Sequence, residues 1–365
     1  MSEQSNFRTI HQVGSYPAKN EGAAITEMID TVGPYLRSLP DGETGERQGY
    51  VMHIVEALRH SQAFEVKQEG DWSTVAGRTI LRVKDRLRAE DIPLPYAMYA
   101  HKNWNLFEDT ARKYGRTEDL AYQVSIPSPT TMEFIAIGPA GQPDLKTLFK
   151  PQTVQDARAL LRHYNAFAEA TAREITNIAN WQPHRTICQI EATAELILTT
   201  KTPEPLRPLV ANIMGQRIAR LAMAVPEDAQ LGLHLCLGSL DNRAEAAMDT
   251  LDPVVKLARA VLRAWPKDRQ PLKYVHAPIA TSNGPAPQNE RFYQPLQNLH
   301  LPDETQFYAG IVQETQPLNQ QKRALWLVEN KLNRQVGVAA ACGLGRRQLL
   351  AARAALARSV ELATA

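Results

Sequence analysis

Three side chains able to bind a soft or borderline metal ion, His234, Cys236 and Cys342, stand at the ends of two apolar, strand-like segments. In Leu231-Gly-Leu-His-Leu-Cys-Leu-Gly238, strict alternation puts His234 and Cys236 on one face and Leu233, Leu235 and Leu237 on the other. One strand therefore aims both ligands at one point. Cys342 closes a second apolar run, Val336-Gly-Val-Ala-Ala-Ala-Cys342, and Gly343-Leu-Gly345 follows as a strand-ending turn. Taken alone, a His-x-Cys pair in an apolar strand is more often buried core, because free cysteine is among the most buried residue types. The third ligand tips the reading to metal. One imidazole and two thiolates suit tetrahedral zinc, and three protein ligands with a displaceable fourth position mark a catalytic rather than a structural site. His276 ends the next strand, Lys273-Tyr-Val-His276, and is the candidate for the fourth position, as a metal ligand and catalytic group or as its hydrogen-bonded support. Zinc in such a site would hold a substrate thiol as thiolate near neutral pH.

The elements that must position these residues alternate between short apolar segments and amphipathic helices. Eight strands are predicted, at Ile10–Ser15, Tyr35–Pro40, Tyr122–Pro127, Thr186–Glu191, Gln230–Cys236, Lys273–Ala277, Gln306–Val312 and Gln335–Ala341. Helices are predicted between them, clearest at Val154–Ile178, where Ala157, Leu161, Tyr164, Ala168, Ala172, Ile175 and Ile178 recur at three- and four-residue steps. Others fall at Leu206–Val225, Pro253–Ala264 and Arg346–Leu362. Eight strand–helix units with right-handed crossovers close into an α/β fold, the (β/α)8 TIM barrel. The gap between the second and third strands is too long for one helix. It predicts an inserted segment over about residues 60–105 covering the barrel mouth, after a helix near Val51–Arg59 and with a hairpin from Phe64–Lys67 and Thr79–Val83. The whole of residues 1–365 then reads as one TIM-barrel domain.

Composition narrows the partners. The net charge is +2 with Lys and Arg scattered, which gives no footprint for nucleic acid or for an anionic membrane and points to a small-molecule partner. No apolar run reaches membrane-spanning length, and the polar start Met1–Asn6 lacks the regions of a signal peptide, so a cytoplasmic location is expected. Three unevenly spaced cysteines do not make a disulfide framework. Oligomeric state is left open.

In barrels the chemistry gathers at the C-terminal ends of the strands, and useful residues fall there. The first strand ends in Gly14-Ser15-Tyr16-Pro17, the second in Pro40-Asp-Gly-Glu-Thr-Gly45, the third in Pro127-Ser-Pro-Thr130 and the fourth in Gln189-Ile-Glu191. Ser15, Asp41, Glu43, Ser128 and Glu191 are thus candidate substrate-binding residues, although Asp41 and Glu43 also suit a plain turn. Arg47 would pair with one of the acids or with a substrate carboxylate. His101, Trp104 and Asn105 either line the mouth or belong to an ordinary amphipathic helix. Cys188 alternates away from Gln189 and Glu191 and is expected to face the outer helices as an inert thiol.

These residues, in this order, resemble the cobalamin-independent methionine synthase family, within the superfamily it shares with uroporphyrinogen decarboxylase. Val13-Gly-Ser-Tyr-Pro17 is similar to the family's Gly-Ser-aromatic-Pro opening, Gln189-Ile-Glu191 to its Gln-Ile-Asp segment, His234-Leu-Cys236 to its zinc pair and Cys342-Gly-Leu344 to its final Cys-Gly-Leu. The resemblance spans nearly the whole chain, at the size of a single catalytic barrel. It implies zinc held by His234, Cys236 and Cys342, with Ser15 and Glu191 on an amino-acid thiol, Glu191 also as a catalytic acid. Departures are informative. His276 stands where the family has a zinc-ligating Glu. Gln189-Ile-Glu-Ala-Thr193 lacks the family's second acid and proline, and Pro127-Ser-Pro-Thr-Thr-Met132 continues without the Trp that would stack on folate. The expected function is a zinc-dependent transferase that activates a small thiol for S-alkylation, most simply methyl transfer to a homocysteine-like acceptor, from an alkyl donor the sequence does not name. The same ligands would serve a zinc-dependent carbon–sulfur lyase or hydrolase, and a non-catalytic ligand-binding barrel is the remaining alternative.

Overall fold

The computed structural model describes residues 7–49, 51–139, 151–281 and 283–365. Met1–Asn6 and the side chain of Ala157 lie outside them. The strands are β1 (Ile10–His11), β2 (Ser38–Pro40), β3 (Phe64–Gln68), β4 (Ile80–Val83), β5 (Ala121–Pro127), β6 (Thr186–Ala192), β7 (Leu231–Leu235), β8 (Tyr274–Pro278), β9 (Gln306–Val312) and β10 (Gly337–Ala340). All but β3 and β4 form one parallel sheet in the order β1-β10-β9-β8-β7-β6-β5-β2. A single parallel bridge, Ile10 to Leu36, joins its ends. This is the (β/α)8 barrel expected from the alternation.

The helices are α1 (Glu21–Val32), α2 (Met52–Arg59), α3 (Tyr96–Lys113), α4 (Pro129–Ile137), α5 (Pro151–Trp181), α6 (Thr193–Lys201), α7 (Arg207–Met223), α8 (Asp252–Ala264), α9 (Glu290–Tyr293), α10 (Leu318–Leu332) and α11 (Leu349–Ala363). α8 shows why such segments are helical. Pro253 opens it, where a missing N–H costs nothing, and Val254, Val255, Leu257, Ala258 and Val261 bury one face against the sheet. None of the described helices is long and apolar enough to cross a membrane.

Several expected strands are shorter than their sequence patterns, β2 among them, which begins only at Ser38 because Gly33–Tyr35 forms a 3-10 turn. β1 stops at His11 because the next carbonyls are claimed by side chains: Gln123 Nε2 donates to Gln12 O at 2.9 Å and Gln189 Nε2 to Val13 O at 2.7 Å. β10 is likewise short, with its register shifting between Ala339 and Ala340. Cys236 therefore lies one residue beyond β7 and Cys342 two beyond β10, at the C-terminal mouth of the barrel.

The lower end of the barrel is closed by Tyr274 and Tyr308 with Ile187 and Ala339. Gly232 and Gly337 make room for the two rings, since a Cβ there would lie 2.2 Å and 2.4 Å from them. Polar side chains take over one layer higher. Between β2 and β5 the chain leaves the barrel as α2, the antiparallel pair β3–β4 and then α3. The pair packs with α2 and α4 on a second apolar cluster that includes Ile54, Leu58, Phe64, Leu81, Met132 and Phe167.

Candidate metal centre and its cleft

Among the described residues, one group of metal-capable side chains converges on a point. His234, Cys236 and Cys342 have ligand atoms all within 4.8 Å of one another, and Cys236 Sγ lies 3.5 Å from Cys342 Sγ. Cys236 Sγ accepts from the Gly238 N–H at 3.3 Å, and Cys342 Sγ lies 3.3 Å from Ser239 Oγ. The neighbouring Cys236 thiol, together with His234 and Ser239, holds Cys342 well below the usual thiol range. A buried imidazole beside two thiols, one of them favoured as thiolate, is a donor set that fits zinc. Cys188, by contrast, is buried in the outer core with its thiol pushed up to about 12 by burial, the inert thiol expected.

His276 stands behind His234 rather than in the converging group. The two are register partners on β7 and β8, and their Nδ1 atoms are 2.6 Å apart. His276 Nε2 lies 2.9 Å from the Ala340 carbonyl, which only accepts, so that nitrogen carries the proton. Burial keeps His276 neutral, its pKa well below the usual value. Its Nδ1 is then the acceptor and His234 Nδ1 the donor, which leaves His234 Nε2 with the free lone pair. His11, which the sequence reading passed over, completes this layer. Its ring is 5.5 Å from that of His276, and its Nε2 is 2.9 Å from Gln189 Oε1. Burial lowers its pKa to about 3.

The carboxylates divide by role. Glu191 and Glu43 line the cleft beside the three ligands. Asp41 does not. It accepts from the Glu43 N–H at 2.9 Å, Asn103 Nδ2 at 2.7 Å, the Tyr122 hydroxyl at 3.0 Å and Arg47 Nη1 at 2.9 Å. These four bonds tie Asp41 into the loop, and it lines the smaller cavity beside the cleft rather than the cleft itself. That loop needs its glycines: Gly42 has φ +86°, and a Cβ there would come within 2.3 Å of Ala24 Cβ. Glu43 itself sits at φ 45°, with a buried Oε1 that has no hydrogen-bond partner, and burial beside Asp41 pushes its pKa up to about 7.

Ser15 lines the cleft, and its Oγ accepts from the Gly345 N–H at 3.3 Å, tying the first strand end to the last. Ser128 is fully buried away from it. Its Oγ accepts from Thr131 N at 3.0 Å, capping α4, and donates to Glu195 at 2.6 Å, so its expected substrate contact is revised. Arg47 pairs with Asp41, one of the two acids expected for it, and also with Glu21. Trp104 packs against Phe107, Tyr122 and Trp181, and His101 against Trp181, away from the mouth.

The cleft over the three ligands spans about 1070 Å³, open solvent at its mouth included. A smaller cavity of about 480 Å³ adjoins it under α3, sharing Glu43, Arg47 and Glu191 and adding His53, Tyr96 and Tyr122. Several cleft residues escaped the sequence reading: Trp72 and Val75 in the β3–β4 turn, and Ser239, Glu245 and Arg346 in the loops after β7 and β10. Only Ser239 carried a signal, its adjacency to the His-x-Cys strand.

No family model matches the chain, and no curated protein matches it in sequence. Solved structures do match in fold. A putative vitamin-B12-independent methionine synthase from Listeria monocytogenes superposes with a TM-score of 0.53 at 12% identity, over 94% of this chain and 86% of that one. A B12-independent methionine synthase from a Shewanella species, in complex with selenomethionine, gives a TM-score of 0.57 at 11% identity over 98% and 96%.

Proposed function

We propose that this chain is a zinc-dependent transferase that alkylates the sulfur of a small thiol, most simply by methyl transfer to a homocysteine-like acceptor. The observation that carries the reading is the convergence of His234, Cys236 and Cys342 within 4.8 Å on the floor of an open cleft. The fold likeness to methionine synthases, one of them complexed with a methylated selenium amino acid, supports it.

His234, Cys236 and Cys342 would hold the ion, with His276 orienting His234 through Nδ1. Zinc, when bound, supplies a Lewis acid that keeps an acceptor thiol deprotonated near neutral pH. The protein's own groups then do the positioning. Ser15 and Glu191 flank the ligands, where they would meet the polar groups of the acceptor. Asp41 fixes the loop that carries Glu43 through the Glu43 N–H, and Arg47 balances the charge of Asp41.

Zinc content of the purified protein tests the reading. About one zinc per chain is expected, falling several-fold in both Cys236→Ser and Cys342→Ser, because each removes a thiolate from a three-ligand site. Full metal content in both variants would end the proposal.

A further inference from the structure

The cleft above the ligands has a wall and a charge that constrain its second substrate. Val51 and Met52 at the start of α2, Trp72 and Val75 in the β3–β4 turn, and Phe134 and Ile135 of α4 make the wall apolar and partly aromatic. Among the described residues its acids are Glu43, Glu191 and Glu245, and its cations Arg47 and Arg346. Arg47 is taken up by Asp41 and Glu21, and Arg346 Nη1 donates to the Ser239 carbonyl at 3.2 Å and hydroxyl at 2.7 Å. A polyanionic donor would meet three partly or fully buried carboxylates, with Arg47 paired to acids and Arg346 held by neutral Ser239 groups as the one cation left to oppose them among the described residues. Glu43 and Glu191, side by side in the lining next to the three ligands, make that part of the cleft complementary to positive charge.

We infer that the alkyl donor is an onium compound, a sulfonium or quaternary ammonium with apolar substituents, seated between the Trp72 side of the wall and the Glu43–Glu191 carboxylates. This rests on the thiol-alkylation reading and names the class of its donor. The step balances without an added acid or redox partner. A lone pair of the acceptor's thiolate sulfur forms the new carbon–sulfur bond, and the bond from that carbon to the onium sulfur or nitrogen breaks. Its electron pair stays on the departing heteroatom, so a neutral thioether or tertiary amine leaves and no proton moves. An anion and a cation thereby become two neutral products, and an apolar wall beside the reacting groups favours that cancellation of charge. Aromatic faces add attraction for an onium group.

Three probes with one aromatic body separate charge from shape: benzyltrimethylammonium, benzyl alcohol and benzylphosphonate. Binding to the zinc-loaded protein is read by calorimetry and by quenching of tryptophan fluorescence. The ammonium is expected to bind at least about tenfold more tightly than the alcohol, and the phosphonate more weakly than both. Glu43→Gln should remove most of the ammonium's advantage while leaving the alcohol's affinity within about twofold, and Trp72→Ala, in a partly exposed turn, should weaken both. Equal affinity for ammonium and alcohol, or a preference for the phosphonate, would overturn the inference. Zinc content and thiol binding, measured separately, would still stand in that case, so failure of the donor class is distinguishable from failure of the metal site.

Discussion

At the scale of single residues, the site is organised by which lone pairs remain free. Asp41 and His276 look from composition like a substrate acid and a fourth ligand, yet each is spent inside the protein. Asp41 takes four donors, and His276 bridges His234 to the Ala340 carbonyl. A residue that fixes the tautomer of a metal-binding histidine contributes roughly 10- to 100-fold in metal affinity. His276→Ala is therefore expected to weaken zinc binding by about that factor in chelator competition, with His276→Gln, which keeps a donor and an acceptor, losing less. Unchanged affinity in the alanine variant would remove His276 from the assembly.

At the scale of elements, the β3–β4 turn is held over the cleft by one buried cation. Arg78 donates to the carbonyls of Val75 at 2.7 Å, Ile135 at 3.0 Å, Phe134 at 3.1 Å and Pro139 at 2.8 Å. The last turn of α4 has unpaired carbonyls and a partial negative charge, so a guanidinium there both caps the helix and ties the turn to it. Burial lowers the Arg78 pKa to about 10, which still leaves it charged at neutral pH. Arg78→Met should cut amide-exchange protection in β3–β4 by roughly 10- to 100-fold, the loss of one or two charge-assisted bonds net, with the barrel strands unaffected. Equal loss of protection across β5–β9 would mean that Arg78 supports the whole fold instead.

At the scale of the whole molecule, one buried acid should contribute a large share of the response of stability to pH. Glu133 on α4 is 1% exposed, neither carboxylate oxygen has a hydrogen-bond partner, and the Arg217 guanidinium lies 3.9 Å away. Burial outweighs that cation and pushes its pKa from 4.5 up to about 9. The unfolded chain releases this proton near the lower value, whereas the folded chain keeps it. Its stabilising contribution is therefore complete below the lower value and is lost as pH rises towards the upper one, with a limiting slope of about 1.4 kcal/mol per pH unit. Glu133→Gln should flatten the fall in urea midpoint between about pH 5 and about pH 8. An unchanged slope in that variant would place the pH dependence elsewhere.

The alternation of apolar segments with amphipathic helices determined the barrel, and strict alternation through Leu231–Leu237 determined that His234 and Cys236 share a face. These are local properties, written in periodicity, and so was the hairpin between the second and third barrel strands. Only the tertiary structure decided which polar side chains stay available. Ser128 is held against Glu195, Asp41 anchors its loop to Asn103 and His276 props His234, each through a partner more than 40 residues away in the chain. The cleft wall was equally hidden, since Trp72 and Phe134 come together through the folding of an insertion onto a helix, a contact that no one-dimensional period encodes.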